Sequence, residues 1–375
     1  MDIKNYFREY YISHIISNIE LPYKKNEFWS NSDFSLLYCL IDNINYYFKF
    51  INNLKKKECN ITIYDNLVLI NKINTKFLKL YFSYTKYINQ FCDKIFDSHY
   101  QVFKTLYNIS KILHLVIYKD IKIKVKFKTK ANQNILFSLK SSKNINLQLI
   151  EEFDVSYNST LNYILKCNFY NFLNIEHLRY NINFGKINYS LNIYLENKVK
   201  YIRYAINTFS HSLREYLRYS LYYGSHSYVY GLTNARGSEF YDNIIEINHF
   251  SDNTKSLQKY FQVLNHYSSS SFYGKIYVQE KLKKIIANQL NKNIVLGQNT
   301  KIFTFPKLII KTNDIKCSHG ATIGHIDYYQ VNYCKTRGIF KNYAIGLIIN
   351  GFFNSIIKYF KIGNKEKNMI KKIIS

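Results

Sequence analysis

Proline is almost missing from this chain: 2 in 375 residues, beside 12 glycines, 2 methionines and a single tryptophan. So few breakers exclude a collagen-like or Gly/Pro-rich low-complexity polymer and leave room for long regular elements. Acid is scarce too, with 25 Asp and Glu against 52 Lys and Arg, a formal net charge of +27. The six cysteines, Cys39, Cys59, Cys92, Cys167, Cys317 and Cys334, include no C-x-x-C pair. That excludes a zinc ribbon or thioredoxin-type motif, argues against a disulfide framework and predicts a reducing compartment. There is no G-x-x-x-x-G-K-[ST] loop to cradle ATP and no G-x-S-x-G nucleophile elbow. The apolar run from Ala344 to Ile357 is broken by Asn350 and Asn354 and falls short of the ~20 residues of a membrane span. Met1 to Tyr10 carries charges where a secretory leader needs its apolar centre. The expectation is a protein with no membrane segment.

Hydrophobic residues make up 47% of the chain, with 38 Tyr and 27 Phe, enough for one large core or two smaller ones. Lys, Asn, Ile, Tyr and Phe share A/T-rich codons, so a biased genome accounts for their excess without a polyanionic partner. The positive charge is scattered rather than gathered into a stripe, the pattern of a solvated surface. No nucleic-acid binding is expected, although a basic β-helical nucleic-acid-binding protein is the alternative from another functional class.

Residues 1–117 read as an N-terminal helical region, from the spacing of Ile12, Ile15, Ile16 and Ile19. Pro22 interrupts it, and Trp29 reads as a core aromatic. Residues 118–324 change texture to short β-type runs. Ile121–Phe127 alternates strictly, as a strand with one wet face does. Leu147–Ile150, Lys275–Val278, Asn293–Leu296 and Leu308–Ile310 continue the style. Even spacing without intervening helices predicts coils of a solenoid or β-helix, with a β-sandwich as the other possibility. Asn-rich corners, Asn291–Asn293 and Asn313 among them, would suit turns in the left-handed region. Residues 325–375 return to helical periodicity. Asp327–Arg337 reads as one helix stopped by Gly338. Ala344, Leu347, Ile348, Gly351, Phe352 and Ile356 line one face of a second.

The densest chemistry is Asp314-Ile-Lys-Cys317-Ser-His319-Gly-Ala-Thr-Ile-Gly324-His325-Ile-Asp327. If the preceding apolar run stays extended, the two-residue period puts Cys317 and His319 on one face. A thiolate beside an imidazole suits zinc, iron or an iron–sulfur cluster. Two ligands do not close a four-ligand site, so a second chain or a substrate completes it, or Cys317 is ordinary buried packing.

This motif resembles the signature of the SufB/SufD family, the scaffold proteins of Suf iron–sulfur cluster assembly, and its SufD branch in particular. The resemblance runs from Gly231 to Phe353 through Asp242, His249, Ser256, Tyr260, Phe272, Gly274, Gln289, Asn291, Asn293, Thr304, Pro306 and Asp314 to Cys317-Ser-His319, then Asp327, Arg337, Gly338 and Ile339. It implies a right-handed parallel β-helix core between N-terminal and C-terminal helical regions. SufB carries a sulfur-accepting Cys where this chain has Asn291, and an acidic residue where it has Gly320, so the chain resembles SufD. Implied with that are a non-catalytic subunit, a heterodimer with SufB and a transient iron–sulfur cluster shared across their interface. His319 would be its ligand, Cys317 a second ligand or neighbour, and no cluster would be held stably by this subunit alone. The C-terminal helices would dock the SufC ATPase through Arg337, Gly338, Ile339, Ala344, Leu347 and Phe352. A bacterial or endosymbiont cytoplasm or a plastid stroma is the implied location. A SufB-type scaffold is the nearest alternative. A polysaccharide-acting β-helix would need clustered carboxylates, for which Asp242, Glu246 and Asp252 are the candidates.

Overall fold

The computed structural model describes residues 47–51, 58–64, 67–71, 77–84, 111–142 and 144–374. They form two long sheets. In spatial order the first holds β1 (Tyr47–Ile51), β3 (Leu67–Asn71), β2 (Glu58–Tyr64), β6 (Ile121–Thr129), β8 (Asn146–Val155), β10 (Asn174–Asn181), β12 (Lys200–Asn207), β14 (His226–Ala235), β16 (Lys255–Leu264), β18 (Ile285–Val295) and β20 (Ile315–His325). The second holds β19 (Lys301–Ile310), β17 (Ser269–Val278), β15 (Phe240–His249), β13 (Ser212–Leu221), β11 (Lys186–Glu196), β9 (Thr160–Tyr170), β7 (Gln133–Ser141), β5 (Lys111–Ile117) and β4 (Leu78–Tyr84). From β6 onward the chain alternates between the sheets, and each strand pairs in parallel with the one a full coil away. The fold is a parallel β-solenoid, as the even strand spacing predicts. Equivalent positions lie 26 residues apart in the middle coils, as at Asn162 and Asn188, and 30 apart at the end, as at Asn288 and Ser318.

Strand β6 shows why these segments form strands. Ile121, Ile123, Val125 and Phe127 are buried, while the lysines between them are half-exposed, so one face of the pleat feeds the core and the other meets polar surroundings. Corners are turned by residues in the left-handed region, among them Asn144, Asn171, Asn197 and Asn253, with φ between 50° and 58°. Asn tolerates that region better than other non-glycine residues. Asn197 Nδ2 also donates to Asn171 Oδ1 at 3.1 Å, so the corner repeats as a ladder.

Two expectations about the strands need correction. The described parts of residues 1–117 are strands β1–β5, not helix. Continuous apolar runs such as Lys-Ile-Leu-His-Leu-Val-Ile in β5 cannot be told from buried helix by periodicity. The Ile12–Ile19 pattern, Pro22 and Trp29 lie outside the described residues. Asn291-Lys-Asn293 is not a corner but part of β18, with both Asn side chains buried.

After β20 come α1 (Tyr328–Thr336), α2 (Lys341–Ile357) and α3 (Asn364–Ile374). Asp327 caps α1, its carboxylate accepting from Tyr329 N at 2.9 Å. Gly338, at φ 81°, ends it. Ile339 N donates to Cys334 O and Gly338 N to Lys335 O, the paired bonds of a Schellman stop. The helices pack on the outer face of the first sheet, where Phe353, Ile356, Phe360 and Ile370 meet Tyr204, Tyr230 and Phe261. Each such burial is worth about 1.5–3 kcal/mol. The buried face of α2 is Ala344, Phe353, Ile356 and Ile357, rotated from the expected one: Leu347 and Gly351 are exposed.

Candidate functional site at the open end of the solenoid

Strand β20 is the last of its sheet. It pairs with β18 on one side, and among the described residues no further strand pairs with its other edge. The turn leading into it is fixed by Asp314, whose carboxylate accepts from Lys284 N at 3.1 Å, and by Thr312 Oγ1, which donates to Leu282 O at 2.6 Å. Cys317 sits beside Ala287 and His319 beside Gln289, so both occupy the inward-facing parity, as the two-residue period predicts. Their surroundings differ. Cys317 is half-buried against Ile276, Val278, Ile285 and Leu308, and desolvation raises its thiol above the ordinary value, favouring the protonated, less nucleophilic form. His319 is exposed. Among the described residues, no three His, Cys, Asp or Glu side chains gather to hold a metal ion. The donor chemistry of the pair suits iron, but the chain supplies at most two ligands here. His325, farther along the strand, sits with Nδ1 3.1 Å from Val295 O.

The strand edge is accompanied by exposed apolar side chains. Phe303 and Phe305 of β19 are 40% and 44% exposed and Ile323 of β20 is 51% exposed. Asn291 is fully buried, its Nδ2 donating to Tyr260 O at 3.3 Å. A side chain at Gly320 would meet only Leu290 Cδ1, at 3.4 Å.

The six residues expected to form a docking surface do not share one environment. Arg337, Gly338 and Leu347 are exposed. Ala344 is fully buried with Ile326 and Val331, and Ile339 packs against them. Phe352 is half-buried, stacked on Phe261 at 5.0 Å. Tyr329, Phe340 and Tyr343 are instead the most exposed apolar side chains of this region, at 88%, 79% and 73%. The three carboxylates considered for polysaccharide chemistry are otherwise engaged. Asp242 pairs with Arg214 at 3.0 Å, Glu246 with Arg218 at 3.1 Å, and Asp252 accepts from Lys283 N at 2.7 Å.

Deeper in the solenoid lies an ionic network that the sequence reading did not find. Glu151 accepts from Tyr163 Oη at 2.7 Å, Tyr189 Oη at 3.1 Å and His177 Nε2 at 2.8 Å, while Tyr201 Oη lies 2.5 Å from His177 Nδ1. All five are buried. Burial lowers the His177 pKa, so the ring is neutral, with Nε2–H facing the carboxylate and Nδ1 accepting from Tyr201. Burial opposes the charge on Glu151, but these hydrogen bonds and Arg203 outweigh it and keep the carboxyl below its ordinary range. Glu215 binds Arg179 at 3.0 Å and Arg203 at 2.5 Å, and these two cations likewise overcome the penalty of its burial. Two arginines and two carboxylates leave the interior neutral, the condition under which buried charges are tolerable. The signal was present in sequence: Glu151 shares parity with the apolar Leu149 and Phe153, and Arg203 with Tyr201 and Ala205.

A family model described as the SufBD core domain of SUF system FeS cluster assembly matches residues 126–352. This reaches well upstream of Gly231, where the sequence resemblance fades. A SufBD family iron–sulfur cluster assembly protein of Synechocystis is 34% identical over 128 residues, 34% of this chain and 28% of that protein. The SufD of Escherichia coli is 35% identical over 100 residues, 27% of this chain and 23% of its own length. That of Bacillus subtilis is 26% identical over 139 residues, 37% and 32%. The chain thus aligns with about a quarter to a third of the length of these relatives.

Proposed function

This chain belongs to the SufBD core-domain family of the SUF iron–sulfur cluster assembly system, and we propose that within it the chain is a SufD-type, non-catalytic scaffold subunit. It pairs through the open end of its solenoid with a SufB-type partner, and an iron–sulfur cluster is assembled as cargo at their junction. One observation carries the reading: His319 has the inward parity of a core position yet is exposed, because its strand is the last of the sheet among the described residues. An unfinished edge flanked by Phe303, Phe305 and Ile323 is the kind of surface a partner strand completes. His319 then supplies one ligand and the partner the rest; Cys317, packed into the apolar end of the core, is a lesser contributor.

The SufD-type assignment within the family rests on Asn291 and Gly320. A buried, hydrogen-bonded amide offers no nucleophile to accept sulfur, and glycine offers no carboxylate. We assign docking of the SufC ATPase to the C-terminal helices, through the exposed Tyr329, Arg337, Phe340, Tyr343 and Leu347 rather than through Ile339, Ala344 and Phe352, which pack the helices together. Named relatives in bacteria and one chloroplastic protein of Arabidopsis thaliana favour a bacterial cytoplasm or a plastid as the site of action.

The test is reconstitution with iron and sulfide of the purified chain, of its complex with SufB and SufC, and of the complex carrying His319→Ala or Cys317→Ala. His319→Ala should leave the complex intact by size-exclusion chromatography while cluster absorbance is lost; Cys317→Ala should lose less. Undiminished assembly with Ala at 319, or a full-occupancy cluster on the lone subunit, would remove the interface site.

A further inference from the structure

The parallel register turns sequence positions into columns along the inner wall of the first sheet. Arg203, Val229, Gln258, Gln289 and His319 are successive neighbours in one column. Asn207, Thr233, Gln262, Asn293 and Ile323 form a second. Between these polar columns run Ala205, Gly231, Tyr260 and Asn291. Gln258 and Gln262 are fully buried, Gln289 is 2% exposed and Asn293 3%.

We propose that this part of the interior is a hydrated chamber: a file of buried water, held by Gln258, Gln262, Gln289 and Asn293, that ends beneath His319. The primary ground is a set of polar atoms with no partner inside the protein. Both amide atoms of Gln258 are in this position, as are Gln262 Nε2, Gln289 Oε1, Asn293 Oδ1 and the Tyr219 hydroxyl across the lumen. The orientations are set by the bonds that are made. Gln289 Nε2 donates to Gly274 O at 3.2 Å, leaving its oxygen over. Gln262 Oε1 accepts from Ser270 Oγ at 2.5 Å, leaving its nitrogen over. Asn293 Nδ2 donates to Asn291 Oδ1 and Thr322 O, again leaving an oxygen.

The leftover atoms identify the occupant. Gln258 Nε2, Gln262 Nε2, Tyr219 Oη and, at the inner end of the column, Arg203 Nε and Nη1 can donate, whereas Gln258 Oε1, Gln289 Oε1 and Asn293 Oδ1 accept. An anion would satisfy only the first set and a cation only the second. Water serves both, with the two to four polar partners a buried water requires. The charge balance of Arg179, Arg203, Glu151 and Glu215 likewise calls for no extra ion. Small side chains in the adjoining inward column, Ser227, Ser256 and Ala287, line the file on its other side.

The consequence rests on the reading of His319 as an interface ligand. Once a partner covers the open end, the file gives the imidazole a hydrogen-bonded route for water and protons that does not cross the interface. The chamber itself is tested on the full chain alone, without partner or cluster, so its failure is separate from failure of that reading.

Oxygen-17 magnetic relaxation dispersion should show long-lived internal water in the unvaried chain, with a smaller amplitude in Gln258→Leu and in Gln289→Met. Both variants remove an orphaned amide and should keep a cooperative melt. Water cross-peaks to the Gln258 side-chain amide protons give an independent readout that needs no variant. Absence of those cross-peaks, or a dispersion amplitude unchanged in both variants, would overturn the chamber. A bromide anomalous peak among Gln258, Gln262 and Tyr219 in soaked crystals would overturn water as its occupant.

Discussion

Gly231 is a position where the inner wall has little tolerance, and Gly231→Ala tests how the core near the open end is packed. Gly231 lies in β14 beside Tyr260 of β16, and a methyl there would stand 2.1 Å from Tyr260 Cε1 and 2.3 Å from Cδ1. Carbon atoms at rest keep about 3.5–4.0 Å, so the ring must move by more than an ångström. It has nowhere easy to go: Tyr260 is fully buried, its ring is 5.2 Å from Phe272, and its carbonyl holds Asn291. Overpacking of this kind costs about 1–3 kcal/mol, and relief of glycine's backbone entropy returns about 0.5–1 kcal/mol. A net loss of about 1 kcal/mol, at most about 2.5, is expected. Tyr260→Leu alone should cost about 2–4 kcal/mol by leaving a cavity. The double variant should cost clearly less than the sum, with a favourable coupling of about 1–2 kcal/mol, because the smaller side chain admits the new methyl. Urea unfolding of the four proteins measures the cycle. Additivity within about 0.5 kcal/mol would show that Gly231 and Tyr260 do not constrain each other, and the packing argument would fall.

Glu239 is buried enough that desolvation, despite hydrogen bonds from Arg236 N and Tyr241 Oη, lifts its pKa to about 7. The folded state therefore binds this proton more tightly than the unfolded state does, and its stabilising contribution fades as pH rises from about 4.5 to 7. Glu239→Gln, which keeps an acceptor without the charge, should stabilise the chain at pH 8 by up to about 3 kcal/mol, and by half that if solvent screens the site. It should do little at pH 4; equal urea midpoints for the two proteins at pH 8 would refute the shift. Tyr343→Asp and Leu347→Asp change exposed residues and should alter stability by less than about 0.5 kcal/mol while weakening SufC binding by about 2 kcal/mol or more. Calorimetric titration that finds unchanged affinity for both variants would move the docking surface elsewhere.

What could be read from sequence was whatever is encoded locally. The alternation in β6, the Gly338 stop and the shared face of Cys317 and His319 depend on near neighbours, and each was legible. Long-range features were not. Whether α2 buries Leu347 or Phe353 depends on how it meets the sheet, and a helix carrying Ile345, Leu347, Ile348, Ile349, Phe352, Phe353, Ile356 and Ile357 offers more than one apolar stripe. The inward charges were missed for the same reason. Arg179 and Arg203 stand on a core-facing parity, which a strand-by-strand reading treats as interrupted alternation. Only the register, which brings Glu215 across the lumen to both, turns them into a neutral network. Asn291 and Asn293 were assigned to a turn because asparagine favours turns; burial in a polar column overrode that preference.

Three histidines on inward positions show how the same residue type acquires different roles from its distance to the end of the stack. His177 is fully buried with both ring nitrogens engaged, by Glu151 and Tyr201. His249 is fully buried between Thr254 Oγ1 at 2.7 Å and Ser256 Oγ at 2.9 Å, and burial lowers its pKa to about 4. Neither has a lone pair to spare, and both are structural. His319 has the same strand parity, but among the described residues no coil follows to cover it. A solenoid buries every inward side chain except those of its terminal coil, so that coil is where an inward-facing ligand can reach another molecule. Deep in the stack a Cys-x-His pair would be packing. At β20 the pair divides: Cys317 packs half-buried, and His319 stands exposed, as the proposed interface ligand would need to.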